Sequence, residues 1–240
     1  MGHQKTLTLF LLFFLPSLGV LAQEIVSSST LFPKVQSALK NHPGDYIEHS
    51  VKRMGNKRIN LEAFFSAEAD WNQAKKISEQ IENYPKWVLP RINQRGDGEK
   101  FFIQFASISP DKKNKDTLDI NVYLDLPALK IPINRLFKFE SISDSDKNVF
   151  TIKITAIASE DSPVKDLSGY AHVFRNPRNP NQVWGYLDVT VVLTHWLVYE
   201  SLPERLLNRE VGERLRILME NYQNYENTKV LSNGIESPQK

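Results

Sequence analysis

The sequence contains no cysteine among its 240 residues. Disulfide bonds, thiolate zinc sites and cysteine nucleophiles are therefore excluded, and stability has to come from packing. An excess of charge of one sign is also missing, because the formal net charge is only +2. Nucleic-acid binders usually carry a strong basic excess, so this balance argues against nucleic acid as a partner.

Familiar catalytic and metal-binding motifs are missing as well. The sequence has no Gly-x-Ser-x-Gly elbow and no His-Glu-x-x-His pair, and its histidines are not spaced as metal ligands. We therefore predict no catalytic residue set, no metal and no cofactor. Whether the chain catalyses a reaction is left open, with the balance toward a protein that does not.

Long apolar runs are scarce, and the longest lies at the N-terminus. Residues 7–15 are apolar apart from Thr8, Lys5 precedes them, and Val20, Leu21 and Ala22 follow. This run is too short for a bilayer core of about 30 Å, whereas small residues near Ala22 suit a signal peptidase. We expect residues 1–22 to be a signal peptide cleaved after Ala22, and the mature chain to be secreted or periplasmic.

The mature part begins with an extension, which we place at 23–57. It should contain a short helix at 31–40 and a strand at 46–53. Gly55 and Asn56 then favour a tight hairpin turn, since both residues accept positive φ. After this turn Ile59, Leu61 and Ala63 alternate with polar residues, which is typical of a half-buried strand.

A helix should follow, because Ser66 or Asp70 can cap a stripe of apolar residues that begins at Trp71. We expect it to run to about residue 84, where Pro85 breaks it, and a second short helical turn to follow at 86–89. From 91 to 193 the alternation of apolar and polar residues predicts strands only, including hairpins at 91–108 and 133–158.

The C-terminal helix has the clearest pattern, over about 202–225. Ser201 and Glu204 match a capping box, and Leu206, Leu215 and Tyr222 belong to an apolar stripe. Gly212 lies within this helix, where glycine is unfavourable, and it therefore predicts a close approach or a cavity mouth. Residues 227–240 are polar, and we expect a disordered tail. A long antiparallel sheet needs a cover for its apolar face, and this helix is the longest candidate.

Four stretches together resemble the START-like superfamily, also called SRPBCC, of polyketide-cyclase and Bet v 1-like helix-grip proteins. They are INLEAFFSAEADW (59–71), IENYPKW (81–87), VWGYLDV (183–189) and LPERLL (202–207). The resemblance covers 58–226. It implies an α+β helix-grip fold, in which a curved antiparallel sheet of six to seven strands wraps around a long C-terminal helix, with two short helices after the first strand.

The resemblance also implies a cavity between the sheet and the C-terminal helix, which holds a lipid or another hydrophobic small molecule. Aromatic side chains with a few polar groups among them are typical of such linings. The expected ligand-binding residues are Trp71, Trp87, Phe105, Tyr123, Tyr170, His172, Trp184, Tyr186, Leu215 and Tyr222.

Three functional hypotheses remain open. The first is an exported module that binds or carries a hydrophobic molecule, with transient membrane contact as an option. The second is an enzyme of the cyclase or hydrolase type, with His172 or Asp188 as acid or base in the same cavity. The third is an envelope interaction protein that uses residues 23–57 and the polar tail.

Overall fold

The chain was analysed as a computed structural model, which describes residues 28–126, 129–143, 148–157, 164–194 and 196–233. The helices are α1 (Ser28–Leu39), α2 (Trp71–Glu79), α3 (Tyr84–Val88), α4 (Trp196–Glu200) and α5 (Glu204–Asn233). The strands are β1 (Tyr46–Arg53), β2 (Arg58–Glu68), β3 (Ile103–Pro110), β4 (Thr117–Leu126), β5 (Leu129–Ser143), β6 (Val149–Ala156), β7 (Val164–Arg175) and β8 (Gln182–Leu193). The predicted signal peptide lies outside the described residues.

The strands form a single antiparallel sheet in the order β1-β2-β8-β7-β6-β5-β4-β3. The predicted α+β helix-grip class is confirmed, with eight strands instead of six to seven. The additional strand is β1, which the sequence pattern places in the extension at 23–57. It pairs along its whole length with β2, from Tyr46 opposite Ser66 to Arg53 opposite Ile59.

The predicted turn between β1 and β2 is confirmed. Gly55, Asn56 and Lys57 all have positive φ, and the Met54 amide donates to the Arg58 carbonyl. By contrast, the predicted hairpin at 91–108 is wrong in its first arm. Residues 90–93 form turns, and Gln94 contributes only an isolated bridge to Lys100.

The two faces of the sheet carry different helices. We call inner the face that packs against α2, α3 and α5, and outer the face that carries α1. On β2 the residues Ile59, Leu61, Ala63 and Phe65 are buried in the inner core, as the alternation predicted. The outer face packs against Leu31, Val35 and Leu39 of α1, and its contact residues are Val149, Phe174, Trp184 and Tyr186.

Helix α2 begins where the sequence indicated, because the Asp70 carboxylate caps it and accepts from the Gln73 amide at 3.0 Å. Its end was predicted too late. It stops at Glu79, a 3₁₀ turn occupies Ile81–Asn83, and α3 follows with Pro85 in its first turn. Proline is tolerated there because that position has no intrahelical donor to lose.

The start of α5 differs from the predicted capping box. The Ser201 hydroxyl donates instead to the Val198 carbonyl at 2.8 Å, because the short helix α4 precedes it. The Pro203 carbonyl accepts the first helical bonds, and the Glu204 carboxylate accepts from the Arg53 amide at 2.6 Å. The helix is thus tied to β1 at its first residue.

Helix α5 lies between two walls: it packs on β1 at one side and on α3 at the other. Its buried stripe contains Leu218 and, as predicted, Leu215 and Tyr222, whereas Leu206 is exposed and Leu207 is buried instead. The helix continues to Asn233, past the predicted start of the tail. None of the described helices is both long and apolar enough to cross a membrane.

Candidate ligand-binding groove

A groove of about 810 Å³ separates β1 from α5. Its apolar part comes from Tyr46, Ile47 and Met219, and polar side chains surround them. The polar contributors are Asp45, His49, Asn208, Arg209, Glu213, Arg216, Glu220 and Gln223. The groove exists because β1 is the edge strand of the sheet and α5 crosses it on the inner face.

The groove is closed at one end, where Gly212 of α5 contacts His49 of β1. A Cβ on Gly212 would lie 2.5 Å from Cε1 of the His49 ring, which is too short for any real contact. The ring is held in place by a 2.9 Å hydrogen bond between Nε2 and the Asn208 carbonyl, in which Nε2 is the donor. Of the two alternatives predicted for Gly212, a close approach or a cavity mouth, the structure shows a close approach to β1.

The Asn208 side chain also hydrogen-bonds to the unpaired edge of β1. Its side-chain oxygen accepts from the Val51 amide at 2.8 Å, and its side-chain nitrogen donates to the Val51 carbonyl at 2.9 Å. An edge strand otherwise leaves such groups open to another chain. These two hydrogen bonds therefore fix the position of α5 relative to β1.

Most charged groups along the groove have a partner. The Arg209 guanidinium lies 2.9 Å from the Glu99 carboxylate, and Gln223 donates to Asp45 at 2.6 Å. Glu213 and Glu220 face Arg95 and Arg91, respectively. Arg216 differs, since its side chain makes no ion pair or hydrogen bond to another residue in the described part of the chain. The groove is thus lined by an exposed guanidinium, that of Arg216, which none of the described residues pairs with.

On its other side α5 carries a buried charged pair that anchors it to segment 91–103. The Arg214 guanidinium is 2% exposed, donates to the carbonyls of Ile92 and Ile103, and lies 4.0 Å from the Phe101 ring centroid. Glu210 accepts from the Phe102 amide. Burial raises the pKa of Glu210 to about 7 and lowers that of Arg214 to about 10.

Some of the predicted ligand-binding residues lie in the inner core and not in the groove. Trp71 packs on Phe150 with ring centroids 5.3 Å apart, and Trp87 meets Tyr222 edge-on at 5.6 Å. Leu215 and Phe105 are also buried in this core. None of the predicted residues lines the β1–α5 groove.

The remaining predicted residues lie away from α5, which corrects the expectation that one cavity collects them all. Four of them lie on the outer face, because along β7 and β8 they alternate with the inner residues Ala171 and Leu187. These four are Tyr170, His172, Trp184 and Tyr186. Tyr123 alternates with the buried Val122 and Leu124 and lies 5.1 Å from the Lys130 ammonium.

The outer face has its own polar network. His172 is buried, and its Nδ1 lies 2.9 Å from the Thr151 hydroxyl. The Tyr186 hydroxyl donates to Glu62 at 2.8 Å, and Lys34 of α1 forms an ion pair with the same carboxylate. Burial opposes the ionisation of Glu62, but the bonds from Lys34 and Tyr186 keep its pKa below the usual value.

Asp188 belongs to the same network. Burial raises its pKa, and the Asn60 amide donates to it at 2.7 Å. Both acid–base candidates, Asp188 and His172, therefore lie on the opposite face of the sheet from the groove and from α5.

The groove residues escaped sequence reasoning because they are ordinary polar residues. One signal was present: Gly212 in the middle of a strongly periodic helix indicates that something approaches the helix there. The sequence does not show that the approaching residue is His49. A second cavity, of about 680 Å³, lies between α1 and the β7–β8 loop beside Phe32 and Phe174.

Comparison with known proteins finds similarity in structure only. No protein-family profile and no curated protein matches the sequence. The STAR-related lipid transfer protein of Xanthomonas axonopodis is 11% identical, with 74% of this chain and 93% of that chain covered and a TM-score of 0.49. The lipid transfer and protein localization domain of human StarD13 is 13% identical, with 84% and 98% covered and a TM-score of 0.38.

An enzyme also appears among these structures. The Zhui aromatase/cyclase from Streptomyces is 10% identical, with 77% of this chain and 96% of that chain covered and a TM-score of 0.43. The chain has an α+β helix-grip fold, and this assignment rests on its own strand order and on α5 between β1 and α3. A fold of this kind does not by itself define an activity.

Proposed function

We propose that this chain is an exported binding protein for a lipid or another hydrophobic small molecule, held in the groove between β1 and α5. The observation that carries the proposal is the groove itself, with a volume of about 810 Å³. Ligand pockets typically measure about 300–1,000 Å³ and combine an apolar wall with a few polar groups. Tyr46, Ile47 and Met219 would contact the apolar part of the ligand.

Arg216 supports a ligand with an anionic head. Its guanidinium is exposed on the groove, and no described residue pairs with it. A planar guanidinium binds carboxylates and phosphates with two parallel hydrogen bonds. A carboxylate or phosphate attached to an apolar chain would satisfy both halves of the groove. The proposed ligand class is therefore an anionic amphiphile.

Export is the second part of the proposal, and it rests on the sequence pattern of residues 1–22. N-terminal sequencing of the protein recovered from outside the cytoplasm tests it. A mature chain that begins at Gln23 supports export. A chain that retains Met1 or remains in the cytoplasm contradicts it.

Catalysis is not part of the proposal. His172 and Asp188 lie on the outer face, where they bond to Thr151 and Asn60. Neither faces the groove in which the ligand would lie.

The test combines extraction with titration. The mature chain is purified, extracted with organic solvent, and the extract is examined by mass spectrometry. The emptied protein is then titrated with dodecanoate and with dodecanol, which share a chain length but differ in head charge. Binding of dodecanoate in preference to dodecanol is the expected result. No binding of either probe contradicts the proposal.

Two neighbouring tryptophan insertions test the location. Ile47→Trp fills the groove, whereas Glu48→Trp does not, because Glu48 is exposed and is not part of the groove lining. We expect Ile47→Trp to abolish dodecanoate binding and Glu48→Trp to leave it unchanged. Equal behaviour of the two variants would show that the ligand lies elsewhere.

A further inference from the structure

Large apolar side chains are exposed at four places in the described part of the chain: Met54, Ile157, Trp196 and Leu206. Trp196 and Met54 are the most open, at 64% and 61%. Isolated exposed apolar residues are normal on protein surfaces, whereas a group of them indicates an interaction site. Their positions relative to one another therefore decide their meaning.

The strand register places them at one end of the sheet. A row of paired residues crosses β1, β2, β8 and β7 near this end: Arg53, Ile59, Val191 and Leu167. The next pair, Ser168 with Thr155, connects the row to the end of β6. Met54 and Ile157 come directly after the ends of β1 and β6, and Trp196 begins α4 shortly after the end of β8. Leu206 lies in the first turn of α5, close behind α4.

Direct contacts hold the β1–β2 turn and α4 together. The Lys57 ammonium donates to the Thr194 carbonyl at 2.6 Å, and Arg53 pairs with Glu200 at 2.7 Å. The Arg53 guanidinium also lies 3.9 Å from the Tyr199 ring centroid. The turn that carries Met54 and the helix that carries Trp196 therefore form one surface.

Basic residues are exposed at the same end of the sheet, toward its opposite edge. The β3–β4 turn lies at the same end, because the register row continues through three further strands, by way of Ala156, Phe137, Leu118 and Pro110. The turn exposes Lys112, Lys113 and Lys115, while Asp111 and Asp116 at its two ends are half-buried. Arg205, next to Leu206, is exposed as well.

We propose that this end of the sheet, which we call the docking end, binds the surface of an anionic lipid membrane. Tryptophan prefers the boundary between head groups and acyl chains, where its ring is buried and its N–H stays hydrated. Lysine and arginine exposed at the same end of the sheet are attracted to anionic head groups. The combination of Trp196 and Met54 with exposed lysines fits such a surface, and the groove opens further along α5.

The tryptophans provide a direct measurement. Trp71, Trp87 and Trp184 are 7%, 1% and 2% exposed, so Trp196 is the one that aqueous acrylamide can quench. The mature chain is mixed with vesicles of phosphatidylcholine alone or of phosphatidylcholine with phosphatidylglycerol. We expect the mixed vesicles to protect Trp196 from acrylamide, and lipids brominated on their acyl chains to quench it.

Variants separate the apolar and the charged contributions. Met54→Ser combined with Trp196→Ser should lower vesicle binding, measured by sedimentation, by about tenfold or more. Lys112→Gln, Lys113→Gln and Lys115→Gln together should weaken binding to the anionic vesicles by about tenfold or more and reduce its salt dependence. The matched control removes Lys75, Lys76 and Lys86, which are exposed on α2 and α3, after the opposite end of β2.

The proposal is overturned if the wild-type chain sediments with neither kind of vesicle, which would leave the docking end to a protein partner. It is also overturned if the control lysine variant loses as much binding as the β3–β4 variant. A bound chain whose Trp196 stays fully accessible to acrylamide would contradict it as well. If the protein does not bind dodecanoate but still binds vesicles, the result contradicts the proposed ligand groove and leaves the membrane proposal standing.

Discussion

The imidazole of His49 lies against Gly212, so close that a methyl group on the glycine would be 2.5 Å from Cε1. Strand β1 and helix α5 are in close contact at this pair, and the ligand groove opens beside it. The ring cannot move away freely, because Nε2 donates to the Asn208 carbonyl. The packing of α5 on β1 therefore requires glycine at position 212.

Gly212→Ala should destabilise the protein. Alanine at an open helical position is favoured over glycine by about 1 kcal/mol, but here the new methyl group collides with His49. Overpacking of this kind costs about 1–3 kcal/mol. Urea unfolding of the wild type, Gly212→Ala, His49→Ala and the double variant measures it. Relief of the collision in the double variant is expected, and a stabilising Gly212→Ala in the wild-type background would contradict the contact.

Arg214→Met should be severely destabilising, by about 3–5 kcal/mol, because it leaves the carbonyls of Ile92 and Ile103 without their buried donor. The control is Arg216→Met, two residues further on the same helix but exposed. Surface substitutions of that kind change stability by about 0.5 kcal/mol or less. Thermal unfolding of both variants provides the comparison, and equal midpoints would show that Arg214 does not anchor α5.

Glu210 should make stability depend on pH. Burial raises its pKa to about 7 in the folded chain, above the ordinary 4.5 of the unfolded chain. Between these values the native state retains a proton that the unfolded state has lost. The contribution of Glu210 is therefore most favourable below pH 4.5 and falls by up to about 3 kcal/mol as the pH rises through 7.

The Glu210→Gln variant tests this directly, since its amide oxygen can still accept from the Phe102 amide. The free energy of unfolding, measured from pH 4.5 to 8, should lose this downward slope relative to the wild type. Glu220→Gln is the control on the exposed side of α5, where the carboxylate pairs with Arg91. An unchanged slope in Glu210→Gln would mean that the carboxyl titrates normally.

Arg216 should control the choice of ligand head group without affecting stability. Arg216→Gln should weaken dodecanoate binding by about tenfold, as expected for loss of a charge-assisted pair, and leave dodecanol binding unchanged. Arg216→Lys should recover part of the loss because the charge returns without the planar fork. Calorimetric titration measures all three, and equal losses for both probes would indicate a general disturbance of the groove.

The architecture could be predicted because it is encoded locally. Alternation in β2 and β4, the capping Asp70 and the positive-φ pair Gly55 and Asn56 each act over a few residues. The helix ends were less predictable. Ser201 failed as a cap because α4, which the sequence pattern did not indicate, supplies the Val198 carbonyl to its hydroxyl.

The ligand-binding lining was less predictable, because both faces of β7 and β8 are apolar. The sequence shows that His172 and Tyr186 share a face, and the register confirms it. It does not show which face meets α5, since that depends on where α1 packs. The spacing of Leu31, Val35 and Leu39 held the relevant information, because a second amphipathic helix requires a second apolar surface.

The position of α1 has a consequence for any shortened form of the protein. Helix α1 covers Trp184, Phe174 and Tyr186, and the ion pair of Lys34 with Glu62 fastens it to the sheet. A chain cut after Leu39 would expose a flat aromatic surface to water, and such surfaces favour self-association. Proteolysis in the connection between α1 and β1 would thus favour aggregation of the protein.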